Sequence, residues 1–178
     1  MKRLLAAMIE AETIGLPWNV EGKASKHLAK EQNQRTQLSW QVIGALRLLL
    51  LTGARLSEIT LLKWSDVDFV LRTIALPKIK GKKREPFPAT AAALDILKSL
   101  PRVRGSVLIF PRNTDTSTSI SKDVMESAWQ RLRWSAQIED VHIHDLRHTV
   151  GAYAAQAGVS GFIVRDLLRH ANISTTGR

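Results

Sequence analysis

Two segments of the chain carry charged side chains at spacings suited to binding a phosphate ester. Arg55 and Glu58 are three residues apart, so they share one face of a predicted helix. His144, Arg147 and His148 are three and four residues apart and share a helical face in the same way. A guanidinium binds phosphate oxygens through two parallel hydrogen bonds, and an imidazole donates or moves a proton near neutral pH. For the first pair alone, a surface ion pair of small energy is the simpler interpretation.

A third candidate segment is a basic turn centred on Gly81. Its cations are Lys78, Lys80, Lys82, Lys83 and Arg84. Runs with strand character flank the turn, Thr73–Leu76 before it and Arg84–Phe87 after it, so the pattern predicts a β-hairpin. Lys80 directly precedes the turn glycine, where its amine can be held more firmly than those at the tip. The alternative is a solvated loop that keeps a sheet edge from pairing.

Composition favours a polyanionic partner. The 178 residues include 26 Lys and Arg against 16 Asp and Glu, a formal net charge of +10 with a sequence pI near 10.4. Phosphate neutralisation by such a surface supplies most of the non-specific affinity for nucleic acid. The chain has no cysteine, which excludes disulfides, thiolate zinc sites and a Cys nucleophile. The longest apolar run, Leu48–Leu51, is too short to span a bilayer, so we expect a cytoplasmic protein.

The elements that would position these residues are mostly helices. Apolar periodicity predicts helices near residues 4–9, 37–52, 55–63 and 91–100, and Gly53 is suited to cap the second of them. Ser119 or Ser121 begins a further helix that ends near Ser135, and the last two helices cover about 144–156 and 160–170. Residues 21–36 are polar and predict a loop, and Val107–Phe110 predicts an extended run. The expected fold class is mainly α with a small antiparallel β-sheet (α+β).

The ordered set of motifs resembles the catalytic domain of the tyrosine recombinases, the phage integrase family. The set comprises TGARLSEI around Arg55, the basic hairpin with Lys80, HDLRHT at 144–149, and AGVSGFIVRDLLRHANISTT at 157–176. The resemblance extends over nearly the whole chain and is clearest from about Ala45 to Thr176. Each motif alone is weakly specific, whereas the set in this order is strongly specific.

The resemblance implies a role for each matching position. Arg55 and Arg147 would clamp the scissile phosphate, and His144 would assist proton transfer. Lys80 would protonate the departing 5′ oxygen. His170 would hold the phosphate or the nucleophile, although a lone His after a helix is more often a capping residue. Glu58 would support the site, and Lys78, Lys82, Lys83 and Arg84 would bind DNA. No metal or cofactor is implied, and His148 would be structural.

The sequence departs from the family pattern at the nucleophile. Family members carry their tyrosine shortly after the ISTT segment, and this chain ends at Arg178. Its one tyrosine, Tyr153, has the helical spacing of a packing residue. We therefore expect residues 1–178 to be a catalytic domain truncated before its nucleophile, with the N-terminal core-binding domain absent. Arg169 also stands where a glycine often precedes the second family histidine, which leaves the surroundings of His170 open.

The resemblance implies double-stranded DNA as partner and a homo-tetramer on paired sites for the full-length recombinase, whereas this chain itself is expected to be monomeric and inactive. One alternative is a non-catalytic DNA-binding remnant of an integrase, which does not explain why five site residues are retained. A type IB topoisomerase-like enzyme and an RNA-binding module are further alternatives. His144 and His148 have the spacing of a zinc pair but lack the glutamate of a hydrolytic zinc helix.

Overall fold

The computed structural model describes residues 1–19, 33–76, 85–158 and 160. Within these ranges the chain forms helices and short antiparallel strands, which confirms the predicted fold class. The elements in chain order are α1 (Lys2–Thr13), β1 (Leu16–Pro17), β2 (Arg35–Thr36), α2 (Trp40–Thr52), α3 (Leu56–Thr60), β3 (Val67–Asp68), β4 (Thr73–Leu76), β5 (Glu85–Pro88), α4 (Ala91–Ser99), α5 (Lys122–Ser135) and α6 (Asp145–Gln156). No helix in the described ranges is both long and apolar enough to cross a bilayer.

Helix α2 is the centre of the core. Buried side chains surround it on nearly every side, and it packs against α1, α4, α5 and α6. Its buried apolar residues are Val42, Ile43, Ala45, Leu46, Leu48 and Leu49. The helix ends where predicted, because Gly53 adopts the left-handed conformation (φ 59°) and its backbone N–H donates to the carbonyl of Leu49.

The hairpin predicted around the basic turn is present as β4 and β5, with Leu76 paired to Glu85. The sheet has a third strand that the sequence analysis missed, because β3 pairs with β4 directly after a 3₁₀ turn at Trp64–Asp66. The strand order β3-β4-β5 leaves β5 at an edge. Pro86 and Pro88, which lack a backbone donor, are tolerated at that position.

The loop predicted for residues 21–36 is wrong at its end, where β2 pairs with β1. Contacts distant in sequence hold this two-stranded ribbon: the Trp18 indole donates to the Thr36 hydroxyl at 2.8 Å, and Arg35 forms an ion pair with Glu10 of α1. These strands have only two residues each, so they leave no alternation in the sequence. The rest of the predicted loop, residues 20–32, lies outside the described residues.

Helix α5 begins at Ser121 and not at Ser119, since the Ser121 hydroxyl accepts from the N–H of Val124 at 3.3 Å. The extended run at Val107–Phe110 forms no strand; a single bridge joins Leu108 to Lys63, and Phe110 is buried in the core. Helix α6 covers the predicted range after His144. The helix predicted for residues 160–170 lies outside the described residues beyond Ser160.

Candidate phosphate-binding site

Arg55 lies in the tight connection between α2 and α3 and caps the start of α3. The Glu58 carboxylate accepts from the backbone N–H of Arg55 at 2.7 Å and from its guanidinium Nη1 at 3.1 Å. Glu58 is only 2% exposed, whereas the Arg55 side chain is 39% exposed. A buried carboxylate therefore fixes both the backbone and the side chain of an arginine whose charge still reaches solvent. The ion pair predicted from the sequence is present, with Arg55 at the cap and not inside the helix.

Arg147 reaches the same connection from α6. Its side chain is buried, at 3% exposure, and its Nη1 donates to the carbonyl of Gly53 at 2.6 Å. That carbonyl is accessible because Gly53 ends α2 in the left-handed conformation, and the C-terminus of a helix attracts cations. Two arginines separated by 92 positions in the sequence are thereby brought to one connection, since Gly53 is two residues before Arg55.

His144 forms the N-terminal cap of α6 and is exposed. Its ring meets that of His148 at an interplanar angle of 83°, with the ring centroids 5.2 Å apart. Partial burial lowers the pKa of His144 below its ordinary value, and the nearby charges of His148, Arg147 and Arg55 act in the same direction. The Asp145 carboxylate acts in the opposite direction and raises the pKa of His144. These charges place His144 among the two arginines, in a neighbourhood that favours its neutral form.

A pocket of about 180 Å³ opens beside His144 and Arg147. Its apolar wall includes Leu49, Ala54 and Leu56, and Lys122 and Glu126 of α5 add a cation and a carboxylate to its polar lining. The sequence analysis missed Lys122, because an exposed lysine in the first turn of a helix is too common to be a signal. A larger depression of about 680 Å³ lies elsewhere, around Trp18 and Trp134. We assign the site to the smaller pocket because two of the predicted residues, His144 and Arg147, line it, and Arg55 directly follows Ala54 of its wall.

Several predicted site residues lie outside the described residues: Lys78, Lys80, Lys82, Lys83, Arg84 and His170. In the part of the chain that the structure describes, no three His, Cys, Asp or Glu side chains group as a metal site.

Tyr153 corrects one expectation from the sequence. It was predicted to pack in the core, but it is 55% exposed on α6. Helical spacing did not reveal this, because α6 buries only one narrow face, which includes Leu146, Arg147 and Gly151. Six residues of helix place Tyr153 about 120° around the axis from Arg147 and roughly 9 Å further along it. Tyr153 is not among the residues that line the pocket.

Comparison with known proteins identifies the family. The model of the phage integrase family matches residues 21–178. The chain belongs to the phage integrase family of tyrosine recombinases. Among curated members, the prophage integrase IntF of Escherichia coli (strain K12) is 33% identical over 129 residues, which cover 70% of this chain and 27% of that protein.

Solved structures of the family share the fold. The XerA recombinase superposes with a TM-score of 0.71 at 21% identity, over 99% of this chain and 56% of that one. The XerH site-specific recombinase bound to difH substrate, a pre-cleavage complex, gives 0.69 at 19% identity, over 99% of this chain and 47% of that one. This phage integrase family member therefore spans about a quarter to a little over half of these relatives' length.

Proposed function

We propose that this chain is the catalytic portion of a site-specific DNA recombinase, which integrates or excises mobile DNA through a 3′-phosphotyrosyl intermediate. The observation that carries the proposal is the bond from Arg147 to the Gly53 carbonyl, because it brings the second arginine to the segment that holds Arg55. Family membership and the DNA-bound XerH neighbour support DNA as the substrate.

The chemistry follows from where charge develops. When a tyrosine oxygen attacks the phosphorus of a phosphodiester, negative charge grows on the nonbridging oxygens, and preformed cationic donors stabilise it. Arg55 and Arg147 are the donors that we assign to those oxygens, and His144 assists proton transfer. Lys80 protonates the departing 5′ oxygen, and His170 holds the phosphate or the nucleophile. The covalent ester to tyrosine conserves the bond energy needed to rejoin strands.

We assign the nucleophile to no residue among 1–178, since the chain has one tyrosine and Tyr153 does not line the pocket. We therefore propose that the 178-residue polypeptide binds duplex DNA weakly and does not cleave it. Lys78, Lys82, Lys83 and Arg84 add contacts to the backbone of the DNA. The full-length recombinase assembles as a homo-tetramer on paired sites, and this chain alone is monomeric.

The test compares Arg147→Lys with Arg104→Lys in a version of the protein that carries the family tyrosine. Arg104 is an exposed arginine away from the pocket, so the control preserves charge in the same way. A lysine cannot bond the Gly53 carbonyl and a phosphate with the fork of a guanidinium. We expect Arg147→Lys to slow cleavage of a nicked duplex about 100-fold or more, the loss typical of one donor to a developing oxyanion, while DNA affinity changes little.

Two results would contradict the proposal. Equal cleavage rates for the two variants would remove Arg147 from the chemistry, and no cleavage by the tyrosine-containing parent would favour a DNA-binding remnant of an integrase. A covalent adduct between the 178-residue chain itself and nicked DNA, seen as a band resistant to denaturing gel electrophoresis, would show that we have misassigned the nucleophile.

A further inference from the structure

His148 is a residue of α6 for which the proposed chemistry has no role. It is exposed, so packing of the core does not require it. Its ring nevertheless makes a defined contact with that of His144, at a centroid separation of 5.2 Å and an angle of 83°. Aromatic rings prefer this edge-to-face arrangement because the positive edge of one ring meets the negative face of the other.

The contact restricts a side chain that has little else to hold it. His144 is at the exposed N-terminal end of α6, where its own side chain makes no capping hydrogen bond. An unrestrained histidine there would sample several staggered rotamers, and most of them would point its ring nitrogens away from the pocket. His148, one helical turn further along, presents its ring to the same face and limits this choice.

We propose that His148 is a positioning residue of the phosphate site: its ring fixes the orientation from which His144 addresses a phosphate oxygen. The inference rests on the proposed function, because it takes the pocket beside His144 and Arg147 as the place of the phosphate. His148 acts through His144 and does not touch the phosphate itself. It therefore refines the structural role that the sequence analysis gave this residue.

The electrostatic surroundings of His144 support the same view. The charges that lower its pKa include that of His148 after the larger effect of partial burial. The other groups that face it are Arg147 and Asp145 on α6, Arg55 before α3, and Lys122 and Glu126 on α5. The charge of His148 is among those that lower the pKa of His144, so removal of His148 should change that pKa as well as the ring contact.

The experiment follows the ring resonances of His144 by NMR in the 178-residue chain, from about pH 5 to 8, the range in which histidine titrates. The probe is inorganic sulfate, a phosphate mimic whose charge is constant over that range. The variants are His148→Ala, which removes the ring, and His148→Phe, which keeps a ring without a titrating charge. His142→Ala is the control, because His142 is an exposed histidine of the same segment whose ring is not in the His144 contact.

We expect His148→Ala to weaken the sulfate-dependent shift of His144 about three- to tenfold in dissociation constant, the range of an aromatic pair contact. His148→Phe should restore the affinity to within about twofold, since it keeps the ring contact. In both variants the titration midpoint of His144 should rise, because a neighbouring positive charge is gone. The control should match the parent chain in both measurements.

Either of two results would overturn the inference: parental affinity and midpoint in His148→Ala, or a loss in His148→Phe as large as that in His148→Ala. The midpoint and the contacts between the two rings are also measured without sulfate. If the parent chain shows no response to sulfate, that outcome counts against the proposed function. The sulfate-free data still support or reject the role of His148.

Discussion

Replacing Glu58 with glutamine isolates the contribution of its buried carboxylate to the geometry of the site. The carboxylate accepts two hydrogen bonds from Arg55, one from the backbone N–H and one from the guanidinium. Glutamine has nearly the same shape, but its amide nitrogen cannot accept, so one of the two donors loses its partner. The change therefore alters Arg55 without removing it and without leaving a cavity.

The expected loss follows from those two contacts. A hydrogen bond to a charged group contributes about 1.5–3 kcal/mol, and the ion pair adds little because the Arg55 side chain is 39% exposed. Glutamine keeps one of the two bonds in neutral form, and removal of the desolvation cost of the buried carboxylate offsets part of the loss, so we expect about 1–2 kcal/mol of lost stability. For a domain of this length, that corresponds to a melting temperature lower by roughly 2–8 °C.

Thermal unfolding by circular dichroism and sulfate binding measure the two consequences of this substitution. The matched control is Glu139→Gln, an exposed carboxylate whose loss changes the net charge equally. A variant at Glu58 that melts with the control, within about 1 °C, would refute the claim that this carboxylate fixes Arg55. If the variant is less stable but binds sulfate as tightly as the parent, Glu58 stabilises the fold and does not contribute to phosphate binding.

Two further predictions concern the backbone under Arg147 and the charge state of His144. Gly53→Ala and Gly105→Ala each place a side chain at positive φ and should each cost about 1–2 kcal/mol in urea unfolding, but only the first should weaken sulfate binding. Equal sulfate affinities would contradict a role for the Gly53 carbonyl. Because the folded pKa of His144 is below its ordinary value of 6.5, the unfolded chain binds more protons just below that pH, and stability should fall as pH falls through it. His144→Gln should flatten this slope in urea unfolding measured at several pH values, and an unchanged slope would reject the assignment.

Local signals in the sequence were sufficient to predict the helices that carry the candidate site. The apolar surface of α2 and the glycine after it are short-range features, and they predicted both the central helix and its left-handed cap at Gly53. Two serines before α5, Ser119 and Ser121, could each cap the helix, and the sequence does not distinguish between them. A choice of that kind depends on which hydroxyl meets the N–H of Val124, and only the folded backbone decides it.

Long-range pairings were beyond sequence reasoning. β1 and β2 are two-residue strands joined by contacts such as Trp18 to Thr36, so no periodicity marks them. The same limit applies to the site. The motifs predicted Arg147 as a phosphate ligand, but its bond to Gly53 joins residues 94 positions apart, and no local pattern indicates it. Lys122 entered the pocket in the same way, through packing of α5 beside α6 and not through a motif.

The bond from Arg147 to Gly53 makes the fold and the candidate site depend on each other. Gly53 is two residues before Arg55, whose backbone and guanidinium are bonded to Glu58, so the fold itself brings both arginines to one connection. In the proposed reaction, cationic donors that are fixed before a phosphate arrives would stabilise developing charge without reorganisation. Such an arrangement has an electrostatic cost in the empty protein, because like charges repel. Partial burial is the main cause of the lowered pKa of His144, and the charges of His148 and of both arginines lower it further.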